Sequence, residues 1–101
     1  MAVKYTVVTT KTADKQWWED ANRELAMQQG QYNRNFPGLI TVAVTKNEDN
    51  SPDVLTTTMI FDTGISLAKY FLQAFANEIN MSRRKYNYEN GITNEATIEE
   101  I

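Results

Sequence analysis

Two segments of this chain, residues 39–45 (LITVAVT) and 54–62 (VLTTTMIFD), carry no charge on either side of their alternation until Asp62 closes the second. Both are dominated by residues that suit a pleated strand. On the first, Leu39, Thr41, Ala43 and Thr45 oppose Ile40, Val42 and Val44. On the second, Val54, Thr56, Thr58 and Ile60 oppose Leu55, Thr57, Met59 and Phe61. A sheet with one face on a core and the other in water alternates apolar with charged positions. Here both faces ask for cover. The polar loop 46–53 (KNEDNSPD), with turn residues Asn47, Asp49, Asn50 and Ser51-Pro52, joins the two as a long hairpin.

The flanking segments complete an α+β order. Residues 3–10 read as a strand, with Val3, Tyr5 and Val7 on one side and Lys4, Thr6, Val8 and Thr10 on the other. Thr12 is the expected N-cap of a first helix, with Asp14 in its first turn. Trp17, Ala21, Leu25 and Gln28 or Gln29 follow at helical spacing, with Trp18 beside them. That helix ends at Gly30, or runs through Tyr32 until Phe36-Pro37-Gly38 stops it. A second helix, capped by Asp62, Thr63 or Ser66, has a broad apolar face of Ile65, Leu67, Ala68, Phe71, Leu72, Phe75, Ala76 and Ile79. It reaches Met81 and turns basic at Arg83, Arg84 and Lys85, as suits a helix C-terminus. Residues 87–91 (NYENG) form a turn, and 92–101 a weakly patterned fourth strand. The order β–α–β–β–α–β predicts a ferredoxin-like sandwich, a four-stranded antiparallel sheet with two helices on one face.

With 101 residues the chain holds one domain, residues 1–101, and one modest core. It has no third layer for the second sheet face. An exposed apolar sheet face is an association site, and closed two-fold dimers are the commonest assembly. A homodimer is therefore expected, against the alternative of a monomer with a solvated threonine-rich face. The formal charge of −3 gives no attraction for phosphate backbones or anionic membranes, so neither nucleic acid nor a membrane is an expected partner. An RNA-binding sheet of this order would expose stacking aromatics on its central strands, where this chain offers Thr, Met and Ile. Cysteine and histidine are both absent. That excludes disulfides, thiolate nucleophiles and the commonest general base and metal ligand. No apolar run spans a membrane and no signal-peptide pattern is present, which fits a cytoplasmic protein. The initial Met1 is consistent with a complete small protein.

The run Phe36-Pro37-Gly38-Leu39-Ile40, then a strand, a hairpin, Phe61-Asp62 and an aromatic-rich helix, resembles the dimeric α+β barrel superfamily. Within it, the chain is most similar to antibiotic-biosynthesis-monooxygenase-like domains. The resemblance implies a barrel of two sheets, with a pocket in each subunit between sheet and helices. It also implies a range of activities, from cofactor-free oxidation of aromatic polyketides to haem degradation and small-metabolite modification. The haem-degrading pattern fails here, because no histidine is available for the iron. Cofactor-free members use Trp and Asn to orient an electron-rich ring, and Trp17, Trp18 and Asn22 supply those residue types.

Trp17 and Trp18 point about 100° apart on a helix, so one faces the core and the other a cleft or interface. They are either an aromatic wall for a flat ligand or plain packing. Asn22 shares a helix side with Trp18 and is either an oxyanion donor or solvated. Phe61 and Phe75 join these three as candidate ligand contacts, although Phe75, with Tyr70 and Phe71, also reads as core. The basic patch 82–86 (SRRKY) can hold an anionic ligand, or simply ends a helix. Loop 46–53 lacks the calcium-loop spacing, and no phosphate loop, nucleophile elbow or HExxH occurs, so no metal or cofactor is expected. Two functions compete. One is a cofactor-independent monooxygenase-like protein or a binder of small hydrophobic or aromatic ligands. The other is a non-catalytic homo-oligomeric assembly module.

Overall fold

The computed structural model describes residues 1–17, 23–46 and 53–101. The elements are β1 (Val3–Thr10), α1 (Arg23–Arg34), β2 (Leu39–Lys46), β3 (Val54–Phe61), α2 (Gly64–Ala76), α3 (Glu78–Glu89) and β4 (Thr93–Glu100). The strands form one antiparallel sheet in the order β2-β3-β1-β4. This is the ferredoxin-like sandwich, with the second helix broken in two. Strand β4, the segment with the weakest pattern, pairs with β1 along its whole length, from Val3 opposite Glu100 to Thr10 opposite Thr93.

The first helix does not start at Thr12. Residues 11–17 are irregular, with a turn at Ala13-Asp14, and the Thr12 hydroxyl donates to Asp14 Oδ1 at 2.5 Å instead of capping a helix. Lys11 holds this segment to the sheet, its Nζ 2.6 Å from Asp53 Oδ1 and its backbone N–H donating to the Asp53 carbonyl at 2.9 Å. Helix α1 passes through Gly30 and ends at Arg34, before Phe36-Pro37-Gly38. Gly38 has φ +88°, and a Cβ there would lie 2.6 Å from Ser66 Cβ, so only glycine fits the turn without strain.

The alternation on β2 is not continuous either. Leu39 pairs with Phe61 but Thr41 pairs with Ile60, so the register shifts across Ile40. A bulge of this kind turns Leu39 and Val42 to the same side, where both pack on the core, although strict alternation would separate them. Thr41, Ala43 and Thr45 then share the opposite face with Thr56, Thr58 and Ile60 of β3.

Of the three expected caps for α2, Thr63 is the one used; its Oγ1 accepts from the Ser66 N–H at 3.2 Å. The helix does not reach Met81, because Asn77 interrupts it. The Asn77 Oδ1 accepts from the N–H groups of Ile79 (3.0 Å) and Asn80 (3.1 Å), opening α3 as a new helix. Asn80 Nδ2 donates back to the Ala74 carbonyl at 2.9 Å and closes the end of α2. Helix α3 then continues to Glu89, so residues 87–89 are helical and the turn is confined to Asn90 and Gly91.

The core lies on one face of the sheet. Val3, Met59 and Phe61 from the strands meet Phe36 and, from α2, Leu67, Tyr70 and Ala74. Registry puts Val3, Tyr5 and Val7 of β1 on this side with Phe61, Met59 and Thr57 of β3. No described element packs on the opposite face, which presents Thr6, Val8, Thr56, Thr58 and Ile60 at its centre and Lys4, Glu95 and Glu99 toward the β4 edge. No described helix is long and apolar enough to cross a membrane.

Candidate functional site

Every residue of β4 is exposed, including Ile98 and Ala96, which lie opposite Tyr5 and Val7 and so face the helix side. The helical layer therefore stops short of this edge. What borders the gap is aromatic. The Tyr5 ring meets Phe71 edge-on at 5.0 Å, and Phe71 stacks on Phe75 at 6.0 Å with 13° between the planes. Phe75 is 52% exposed, which is unusual for a ring on the inner helix of a sandwich. Arg84 of α3 places its guanidinium carbon 4.6 Å from the centre of that ring. Tyr5, Phe71, Phe75 and Arg84 thus form one line of ring and guanidinium contacts on the helix side, next to the uncovered β4 edge where Ile98 is exposed; this open strip between sheet and helices is the candidate cleft.

Behind the cleft the rings run into the core. Phe71 contacts Tyr70 at 6.2 Å, and Tyr70 contacts Phe61 at 5.5 Å and Phe36 at 5.3 Å. The Tyr70 hydroxyl donates to Asn33 Oδ1 at 3.1 Å, and the Tyr32 hydroxyl to Gln73 Oε1 at 3.3 Å, tying α1 to α2. Burial pushes the Tyr70 phenol up to about 12, with Tyr5 and Tyr32 adding to the rise and Arg83 opposing it. Burial also raises Tyr5, here against the charge of Arg84. Arg83 is lowered by its own burial and raised by Tyr70. These are neutral phenols facing cations, a setting that favours hydrogen bonding to a ligand over proton transfer at neutral pH.

The sequence candidates fall in different places. Phe75 is on the cleft wall. Phe61 belongs to the same chain of rings but is 0% exposed at its inner end. Trp17 sits in the turn segment and not on α1, half-buried, with Lys11 Nζ 5.4 Å from its ring centre. The Tyr86 hydroxyl donates to the neighbouring Gln16 carbonyl at 3.0 Å, so α3 fixes this segment. Trp18 and Asn22 lie outside the described residues. The sequence does not single out Tyr5 and Phe71, because a tyrosine on a strand and a phenylalanine on an apolar helix face both read as packing.

Comparison with solved structures finds proteins of similar fold. The chain superposes over its whole length on 92% of a proposed antibiotic biosynthesis monooxygenase from Deinococcus radiodurans, with a TM-score of 0.70 at 15% identity. It covers 92% of SnoaB, a cofactor-independent oxygenase from Streptomyces nogalater, with 99% of its own length matched, a TM-score of 0.67 and 10% identity. The chain shares their fold. A third such protein, from Nitrosomonas europaea, matches 96% of this chain and 88% of its own at a TM-score of 0.66 and 12% identity. No protein-family model and no curated protein matches the sequence.

Proposed function

We propose that the chain is a homodimeric monooxygenase-like protein whose helix-side cleft binds a small planar aromatic molecule. The observation that carries this is Phe75, a half-exposed ring held flat by Phe71 and topped by Arg84 at the uncovered edge of the sheet. Aromatic walls with a few converging polar groups are the usual lining of small-molecule sites. Without histidine or cysteine, any reaction here relies on orienting a substrate that is itself reactive. The likeness in fold to SnoaB, a cofactor-independent oxygenase, supports that reading. The dimer is supported by the threonine-rich face on which no described element packs.

Trp17 follows Gln16, whose carbonyl accepts from Tyr86 on the same helix as Arg84. Titration with a panel of flat aromatic compounds should change tryptophan fluorescence saturably, and Phe75→Ala should weaken that response about tenfold or more. A panel that leaves the signal unmoved contradicts the reading. The second reading, an assembly module without a ligand, is favoured by the filled inner core, where Phe61 and Met59 are almost fully buried. It predicts the silent titration.

A further inference from the structure

The polar groups at the cleft point to the kind of aromatic molecule it takes, an inference that rests on the ligand-binding reading above. Arg84 is one of the basic residues that a helix C-terminus would explain, but α3 runs on through Tyr86, Asn87, Tyr88 and Glu89 and has no basic residue in its last turn. The helix end therefore does not account for it. Nor does an ion pair, since Arg84 makes none among the described residues, whereas the neighbouring Lys85 pairs with Glu89 at 3.9 Å. What holds Arg84 is the face of Phe75. A guanidinium stacked on a ring keeps its planar fork of N–H donors available at the rim.

Tyr5 supplies the second group. Its ring is fixed by Phe71 on the central strand β1, and its hydroxyl has no hydrogen-bond partner among the described residues. By contrast the hydroxyls of Tyr32, Tyr70 and Tyr86 all donate to named acceptors. A half-buried phenol without a partner is an exception that asks for an acceptor. Tyr5 also lies near enough to Arg84 to feel its charge. Around the two, Phe71, Phe75, Ile98 and Ala96 present ring faces and apolar surface.

We propose that Arg84 and Tyr5 form an anion-recognising pair, and that the cleft selects planar aromatic acids over neutral aromatics of the same shape. The ring of the ligand lies against Phe75 and Ile98. Its carboxylate, or an equally acidic ring oxygen, accepts from the Arg84 fork and the Tyr5 hydroxyl. Charge-assisted hydrogen bonds of this type are about twice as strong as neutral ones, so the selection should be sizeable.

Calorimetric titration of the intact protein with naphthoate and with its uncharged analogue naphthamide tests this. Wild type should bind naphthoate at least about tenfold tighter, with a preference that shrinks at high salt. Arg84→Gln should remove the preference, weakening naphthoate about tenfold or more relative to naphthamide, and Tyr5→Phe should reduce it. Both side chains reach solvent, and a thermal melt of each variant reports whether it is folded. Equal wild-type affinity for the two compounds overturns the anion-recognising pair but leaves the aromatic cleft standing. A preference that survives in both variants overturns the assignment to Arg84 and Tyr5. Failure of both compounds to bind wild type removes the ligand reading and this inference with it.

Discussion

Tyr70 shows how one side chain ties core to cleft. Its ring touches Phe36, Phe61 and Phe71, and its hydroxyl reaches α1 through Asn33. Because burial raises its phenol from 10.0 to about 12, the folded state keeps a proton that the unfolded chain loses first. Stability is therefore fully present below pH 10 and drains as the pH rises through about 12, by roughly 2 to 3 kcal/mol. Tyr5, also raised, acts in the same direction. Tyr70→Phe should cost about 1 kcal/mol at neutral pH through the lost hydrogen bond to Asn33. It should also flatten the alkaline limb. Urea unfolding measured from pH 8 to 12 checks both, and an unchanged slope in the variant would contradict this account of Tyr70.

Among the elements, the strands were legible because their composition and alternation come from local backbone preference and burial. The bounds of β2 and β3 differ from the expected ones by a single residue each. The misreadings occur where a side chain competes with the period. Thr12 is a good cap by residue type, but its hydroxyl is taken by Asp14. Ile40 looks like any strand residue, and only pairing with β3 reveals the shift that turns Leu39 and Val42 to the same side. Asn77 sits inside an apolar period that continues to Ile79, so periodicity hides the break its side chain makes. Phe75 read both as core and as a ligand contact, a choice that depends on how far the helices extend over the sheet. The cleft is less legible than the fold, since Tyr5 and Arg84 are 79 residues apart in the chain and are linked only through Phe71 and Phe75. Asn77 is also the element on which the cleft's wall depends, because the break sets the direction of α3. Replacing it with Ala removes the cap on Ile79 and Asn80 and should cost about 1 to 2 kcal/mol. Thermal unfolding would show the loss, and a variant as stable as wild type would mean that the cap does not hold α3.

At the scale of the whole molecule, one layer of helices covers one side of a sheet whose other side is almost as free of charge at its centre. Thr6, Thr58 and Ala43 lie side by side there, with Val8 and Ile60 close by. Threonine tolerates water, yet a face made of threonine and aliphatic residues from β2 across to β1 also suits close contact with its own copy. The proposed dimer places two such faces together and leaves each helix-side cleft pointing outward. A charge at the centre should then separate the subunits without unfolding them, since Thr58 lies on the sheet face opposite the core. Light scattering on the concentrated protein, beside the Thr58→Lys variant, tests the pairing most directly. The account predicts twice the 11.6 kDa chain mass for wild type and the single-chain mass for the variant. Wild type at 11.6 kDa would contradict it.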